Sequence, residues 1–284
     1  MTNLHTPGII RSGASKFVSA PMSAKFGIVI ITLYALTALL APHLARYGEA
    51  EIVGTQFEPW SAAFWLGTDN LGRDMFTRLI FGARNTIGIA LITTILAFSI
   101  GASAGLAAAT FGGWTDQILS RLVDVLMSIP QLIFALLLLS IFGTSIPTLV
   151  IVIAVLDSTR VFRLTRAIAI NAEVSDYVEV ARLRGEGPIW IMTREILPNI
   201  APTLIAEFGL RFCFVFLLIS GLSFLGLGIQ PPTADWGSMV RDTATLIVYG
   251  DITPLLPAGA IALLAVSVNL IVDWFLHSAS GLKE

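Results

Sequence analysis

The sequence predicts an all-α membrane protein with six transmembrane helices, and three observations predict it. Of 284 residues, 55% are hydrophobic and only 13% charged, and mean hydropathy is +0.83. So few polar side chains cannot cover a water-soluble globule of this length. Charge is also absent from four long runs, 26–45, 85–115, 125–156 and 252–272, each near or above the roughly 20 residues that cross a bilayer core as helix. Finally, Gly, Pro and charged breaks divide the apolar sequence into six pieces, 26–45, 86–110, 122–142, 147–166, 200–227 and 255–276. An ordinary soluble enzyme is excluded. With 19 acidic against 17 basic residues, net charge indicates neither a nucleic-acid partner nor a polyanionic substrate.

The first piece, 26–45, follows Arg11, Lys16 and Lys25 and is longer than a usual signal core, so it reads as a retained anchor. The second, 86–110, carries Ala97, Gly101, Gly105 and Ala109 at four-residue spacing, a small-residue stripe that lets another helix approach closely. Its Gly101-Ala-Ser-Ala-Gly105 also matches a nucleophile pattern, but that chemistry needs a strand-to-helix turn and a nearby His. His5, His43 and His277 all fall near or beyond membrane boundaries, so an intramembrane serine hydrolase is set aside. The fourth piece holds Asp157 one helical turn before Arg160 and near Arg163, which fits either a polar pair near one membrane face or part of a polar conduit.

The fifth piece places Glu207 four residues before Arg211, the favourable order for a helical ion pair. Charge at such depth is costly and faces a cavity or a partner, so Glu207, Arg211 and Asp157 are candidates for a substrate path, with mutual pairing as the alternative. Gly226-Leu-Gly228 and Pro231-Pro232 then end the helix, and Trp236 is expected at the membrane interface. The single cysteine, Cys213, lies in an apolar run, which excludes an intrachain disulfide and a thiolate metal cluster; no metal site is expected.

Alternate sides of six spans divide the basic residues unequally. Arg11, Lys16, Lys25, Arg121, Arg160, Arg163, Arg166, Arg182, Arg184, Arg194 and Lys283 fall on one side, and Arg46, Arg73, Arg78, Arg84 and Arg241 on the other. That imbalance puts both termini, 1–25 and 277–284, in the cytoplasm. It leaves two long outer segments, 46–85 and 228–254, and one inner loop, 167–199. In the first outer segment Asp69, Arg73 and Asp74 lie beside Gly67 and Gly72, which suggests a turn and a short surface helix but too few converging ligands for a metal. In the inner loop Ser175 or Asp176 can cap a helix with Glu179 in its first turn, Gly185 and Gly187 end it, and Pro188 opens a second. Val178, Ala181 and Leu183 alternate with Glu179, Arg182 and Arg184. From pattern alone this is equally a helix lying on lipid headgroups or a docking element.

Three segments carry a family resemblance. Glu179-Val180-Ala181, three residues, Gly185 and then Ile196-Leu197-Pro198 resembles the cytoplasmic EAA loop of ABC importer permeases. Leu66-Gly-Thr-Asp-Asn-Leu-Gly-Arg-Asp74 with Gly82-Ala-Arg84, and Leu222-Ser-Phe-Leu-Gly-Leu-Gly-Ile-Gln-Pro-Pro232 with Asp235-Trp236-Gly237, resemble the C-type permease subunit of dipeptide, oligopeptide and nickel importers. The resemblance runs over about 26–276, with two departures: Val180 where the family usually has Ala, and Glu195 where it has an apolar residue.

The resemblance implies a six-span permease domain, 26–276, in the bacterial cytoplasmic (inner) membrane, whose loop 167–199 carries a coupling helix. It implies one half of the translocation pathway for peptides or similar small polar solutes. Implied partners are a second homologous permease, two cytoplasmic ATPase subunits and an extracytoplasmic solute-binding protein. Tyr177, Glu179, Ala181, Gly185, Leu197 and Pro198 would couple to the ATPases. Asp69, Gly72, Arg73, Asp74, Asp235 and Trp236 would form an outer gate or a dock for the binding protein, unless they only structure the loops. The chain has no Gly-x-x-x-x-Gly-Lys-Ser/Thr loop, so it is expected to hold no cofactor and not to be an enzyme, with ATP and Mg bound by the partner ATPases. The rival is a carrier driven by an ion gradient, using Asp157, Glu207 and Arg211; no inverted repeat is apparent to support it.

Overall fold

The computed structural model describes residues 21–280, and every regular element among them is helical. Arg11, Lys16 and Lys283, which weigh in the orientation count, lie outside the described residues, as do His5 and most of both terminal segments. Two isolated bridges, Ile52 to Arg73 and Thr68 to Asp74, are the sole β pairings among the described residues.

Helix α1, Met22–Leu44, is followed by an irregular segment and then by α2, Met75–Phe111. The start of α2 is fixed by Asp74, whose carboxylate accepts the Thr77 amide at 2.8 Å, a cap that satisfies one of the helix's free N–H groups. The expected outer segment 46–85 therefore ends inside a helix. At 37 residues, α2 is about 55 Å long, well beyond the roughly 30 Å hydrocarbon core.

The expected straight span 122–142 is corrected. It is two helices, α3 (Gly113–Met127) and α4 (Gln131–Phe142), bent by 86°. Pro130 is the cause: it can donate no helical hydrogen bond, and it keeps Ile129 out of helical geometry. Helix α5, Ile146–Glu173, is capped by Ser145. The short α6, Asp176–Leu183, is followed by one helical turn at Pro188–Trp190, a π turn at Ile191–Ile196 and α7, Leu197–Phe224. Helix α8, Trp236–Thr243, continues through a 3-10 stretch, Ala244–Tyr249, before α9, Leu255–Ser280.

By length and apolarity, four helical runs can cross a membrane: α1, α2, the run Pro188–Phe224 and α9; the bent α3–α4 pair would make a fifth. Helix α5 has 28 residues but carries Asp157, Arg160 and Arg163 within its first two-thirds.

Packing follows the small residues. Ala97, Gly101, Gly105 and Ala109 are all buried, and the stripe faces α5. A Cβ added at Gly101 would sit 2.6 Å from the Val161 Cβ, and one at Gly105 2.8 Å from the Thr165 Cβ. Two apolar clusters lie along the molecule. One joins Met75, Phe216, Ile219, Leu222, Trp236 and Met239 from α2, α7 and α8. The other joins Leu106 and Ala109 of α2, Ala169 and Ala172 of α5, and Val178, Ala181, Ile191, Ile196 and Ile200. Outward, Val29, Leu33 and Leu39 of α1 and Trp114, Ile118, Leu122 and Val125 of α3 are exposed, as befits a chain whose main solvent is hydrocarbon.

Candidate functional site

The α5–α7 loop is built by its ends. Ser175 occupies the N-cap position of α6, but its side chain makes no capping hydrogen bond; Asp176 and Glu179 in the first turn supply the charge that the helix dipole favours there. At the other end the Glu186 amide donates to Ala181 O at 3.2 Å and the Gly185 amide to Arg182 O at 2.9 Å. Gly185 takes φ +81°. This paired closure needs a left-handed residue, which glycine supplies without steric cost.

Val178 and Ala181 are fully buried against Ile191, Ile196 and Ile200. Ala181 is thus a packing residue, while Tyr177, Glu179, Val180 and Leu183 face outward, Leu183 with 81% of its surface exposed. Leu197 and Pro198 open α7. Arg182 pairs with Glu173 at 2.6 Å and Arg184 with Glu195 at 3.3 Å. Burial pushes the Glu173 carboxyl above its ordinary range, and Arg182 opposes the shift. Both departures from the family pattern have a local reason: Glu195 meets Arg184, and Val180 lies on the exposed face.

Within the helices the three path candidates converge. Arg211 Nε lies 2.7 Å from Glu207 Oε1, and Arg211 Nη1 lies 3.9 Å from Asp157 Oδ1. The guanidinium also sits 4.7 Å from the centre of the Phe214 ring, close enough for a cation–π attraction. Of the two arginines expected near Asp157, Arg163 turns away and Arg160 stays close enough for its charge to act on the carboxyl. Arg163 reaches Asp124 at 2.9 Å, and Arg166 Nη2 reaches Asp116 Oδ2 at 2.6 Å, so these two arginines tie α5 to α3.

The segments 46–85 and 228–254 interlock. Asp69 Oδ1 accepts the amides of Leu71 and Arg73 at 2.8 and 2.9 Å, and Oδ2 accepts Arg73 Nε at 2.7 Å with Arg78 Nε 3.2 Å away. Gly72, at φ +76°, packs so closely on the Gly54 carbonyl that no side chain fits. Asp235 caps α8 by accepting the Ser238 amide at 2.8 Å and takes the Thr86 hydroxyl at 2.9 Å. Burial pushes its carboxyl up, against the pull of those donors. Trp236 is buried to 1%, donates Nε1 to Leu79 O at 2.9 Å and packs edge-on to Tyr34 and Phe216. The interfacial anchor expected of it is therefore corrected. Gly82 makes room for it: a Cβ there would fall 2.6 Å from the indole Cδ1. Asp69, Arg73, Asp74, Asp235 and Trp236 all point into the protein.

Sequence reasoning missed four residues of this knot. Glu49 accepts Asn85 Nδ2 at 2.7 Å and also the Ala234 amide, Arg78 donates to Glu49 O at 3.3 Å and Pro232 O at 3.4 Å, and Thr86 holds Asp235. The signal was a stripe of Arg78, Gly82, Asn85 and Thr86 at helical spacing along one face of α2.

Residues 99–278, which contain α5 to α8 and most of the α2 seam, match the family described as binding-protein-dependent transport system inner membrane component. The chain belongs to that family. This permease is 33% identical over 248 residues to the dipeptide transport system permease protein of Alkalihalophilus pseudofirmus, covering 87% of this chain and 82% of that one. It is 34% identical over 252 residues to a protein of Brucella suis with a provisional peptide transport system permease name, covering 88% and 85%. It is a multi-pass inner-membrane permease subunit of an ABC importer, a component without its own ATPase site. The ion-gradient carrier is not favoured.

Proposed function

We propose that this permease forms half of a translocation pathway for peptides or similar small polar solutes, paired with a second homologous permease. The names of its relatives, dipeptide and peptide transport permeases, support that solute class. In this reading α1, α2, the broken α3–α4 pair, α5, α7 and α9 are six spans, and the basic-residue count sets both termini in the cytoplasm. Two cytoplasmic ATPases bind ATP and Mg, and an extracytoplasmic binding protein delivers solute to the face framed by the Asp69 and Asp235 knots. Asp157, Glu207 and Arg211 lie along the path.

The observation that carries the reading is the α5–α7 loop. Its helix is anchored by buried Val178 and Ala181, closed by Gly185, and leaves Val180, Leu183 and Ile189 exposed above a helical run that reaches Arg211. Exposed apolar side chains held on a braced helix suit a partner's cleft, with Tyr177 and Glu179 beside them. Coexpression with the neighbouring subunits tests it. A Val180→Asp, Leu183→Asp variant is expected to leave the permease folded while ATPase subunits no longer copurify and ATP hydrolysis stimulated by loaded binding protein falls at least about tenfold, the effect of losing about 1.4 kcal/mol of association. Unchanged copurification and turnover would sink the coupling assignment.

A further inference from the structure

The cluster on α5 and α7 leaves one atom unused. Arg211 is neutralised by Glu207 at 2.7 Å and reaches Asp157 only at 3.9 Å, through Oδ1. Asp157 is 1% exposed, and its Oδ2 is buried with no hydrogen-bond partner within 3.5 Å among the described residues, the Gln131 side chain standing beside the carboxyl. A buried carboxylate oxygen is not left unpaired without cost. Asp157 borders a cleft of about 510 Å³ with Gln131, Arg160, Phe214, Leu217 and Gly221 on its walls, a size within the range of small-ligand sites. The α3–α4 break opens a second, smaller hollow that shares Gln131 and Arg160. Arg160, in the same cleft, makes no ion pair within 4 Å among the described residues, though its charge acts on Asp157 from one helical turn away.

We propose that Asp157 receives the primary ammonium group of the passing solute, such as a peptide amino terminus, in the cleft between α4, α5 and α7. This rests on the importer reading above. Glu207 already meets Arg211 at 2.7 Å, which leaves the Asp157 carboxylate as the acceptor without a close partner on the cleft wall, and a cationic donor suits it. The open position is one carboxylate oxygen beside one amide side chain, whereas a hard metal ion takes six or more oxygens. An ammonium donor fits: it needs one strong acceptor and forms a short charge-assisted bond to it. The Phe214, Leu217 and Gly221 wall leaves room for an apolar body, and unpaired Arg160, one turn of α5 away, stands where the same zwitterion's carboxylate would find an opposite charge.

The experiment uses the complete importer complex in nanodiscs without its binding protein, so that the permease alone selects. A reporter substitution, Leu217→Cys, is made in a Cys213→Ser background, and the rate of maleimide labelling is followed with trialanine, N-acetyl-trialanine or trialanine amide. Trialanine and its amide are expected to slow labelling about threefold at a concentration about twice their Kd, while the acetylated peptide leaves the rate unchanged. Asp157→Asn is expected to remove the protection and Asp157→Glu to restore part of it. Equal protection by the acetylated peptide, absence of protection by every peptide, or protection that survives Asp157→Asn would each overturn the proposal. The peptide comparison needs no change at position 157, so a misfolded variant does not weaken it. Failure of the importer reading reads out separately: the unsubstituted complex would then show no ATP hydrolysis stimulated by loaded binding protein.

Discussion

The knot around Asp69 and Asp235 and the α5–α7 loop use the same kinds of residue in opposite ways. Around Asp69 and Asp235, charged and aromatic side chains turn inward, and both carboxylates meet backbone and side-chain donors within the chain. In the α5–α7 loop the small residues turn inward, while Glu179, Leu183 and Val180 face out. The first arrangement makes a rigid frame whose value lies in its shape. The second makes a surface whose value lies in what it meets. A sequence motif therefore does not say which way its side chains point, and two motifs of one family can serve opposite ends.

By that contrast, the frame is expected to be fragile to single changes and the loop tolerant. The largest effect is expected for Asp69→Asn, which removes the carboxylate charge shared by the buried Arg73 and Arg78 guanidinium groups. Breaking buried pairs of this kind costs about 3–5 kcal/mol, so the yield of folded, detergent-stable protein in a thermal-aggregation assay should fall sharply. A smaller loss, about 1–3 kcal/mol of overpacking, is expected for Gly82→Val, whose side chain collides with the Trp236 ring. It should lower the thermal midpoint and shift tryptophan fluorescence, and an unchanged midpoint would remove Gly82 from the frame. The smallest effect is expected for Arg184→Gln in the loop. Its pair with Glu195 is more than half exposed on the arginine side, and such pairs contribute about 0–1 kcal/mol, so stability should be unchanged within error. A large destabilisation there would show that the loop, too, is a frame.

Much of this architecture was legible in the sequence because its signals are local. The Gly185 stop and the small-residue stripe each act within one element: Gly185 ends α6, and the stripe packs on α5. The 86° break before Gln131 was also written locally, in Pro130, but the apolar run on both sides concealed it. What stayed illegible is long-range. Glu49 lies 36 residues from Asn85 and 185 from Ala234, and nothing near Glu49 announces either partner. Arg163 and Arg166 stand close to Asp157 along the chain yet pair with Asp124 and Asp116, because helical rotation aims them at α3. The burial of Asp69, Arg73 and Trp236 was hidden for the same reason: charge and aromaticity suggested a surface, and only tertiary contacts turn them in.

The unbroken helical path from Pro188 to Phe224 has a mechanical consequence. Its 37 residues make a rod about 55 Å long at about 1.5 Å per residue. A tilt of about 5° at one end displaces the other by about 5 Å, close to the pitch of one helical turn. Glu207 and Arg211 ride on the rod and Asp157 does not. Any such tilt therefore alters the 3.9 Å gap between Arg211 and Asp157, and the charge balance around the cleft becomes a gauge of the rod's angle.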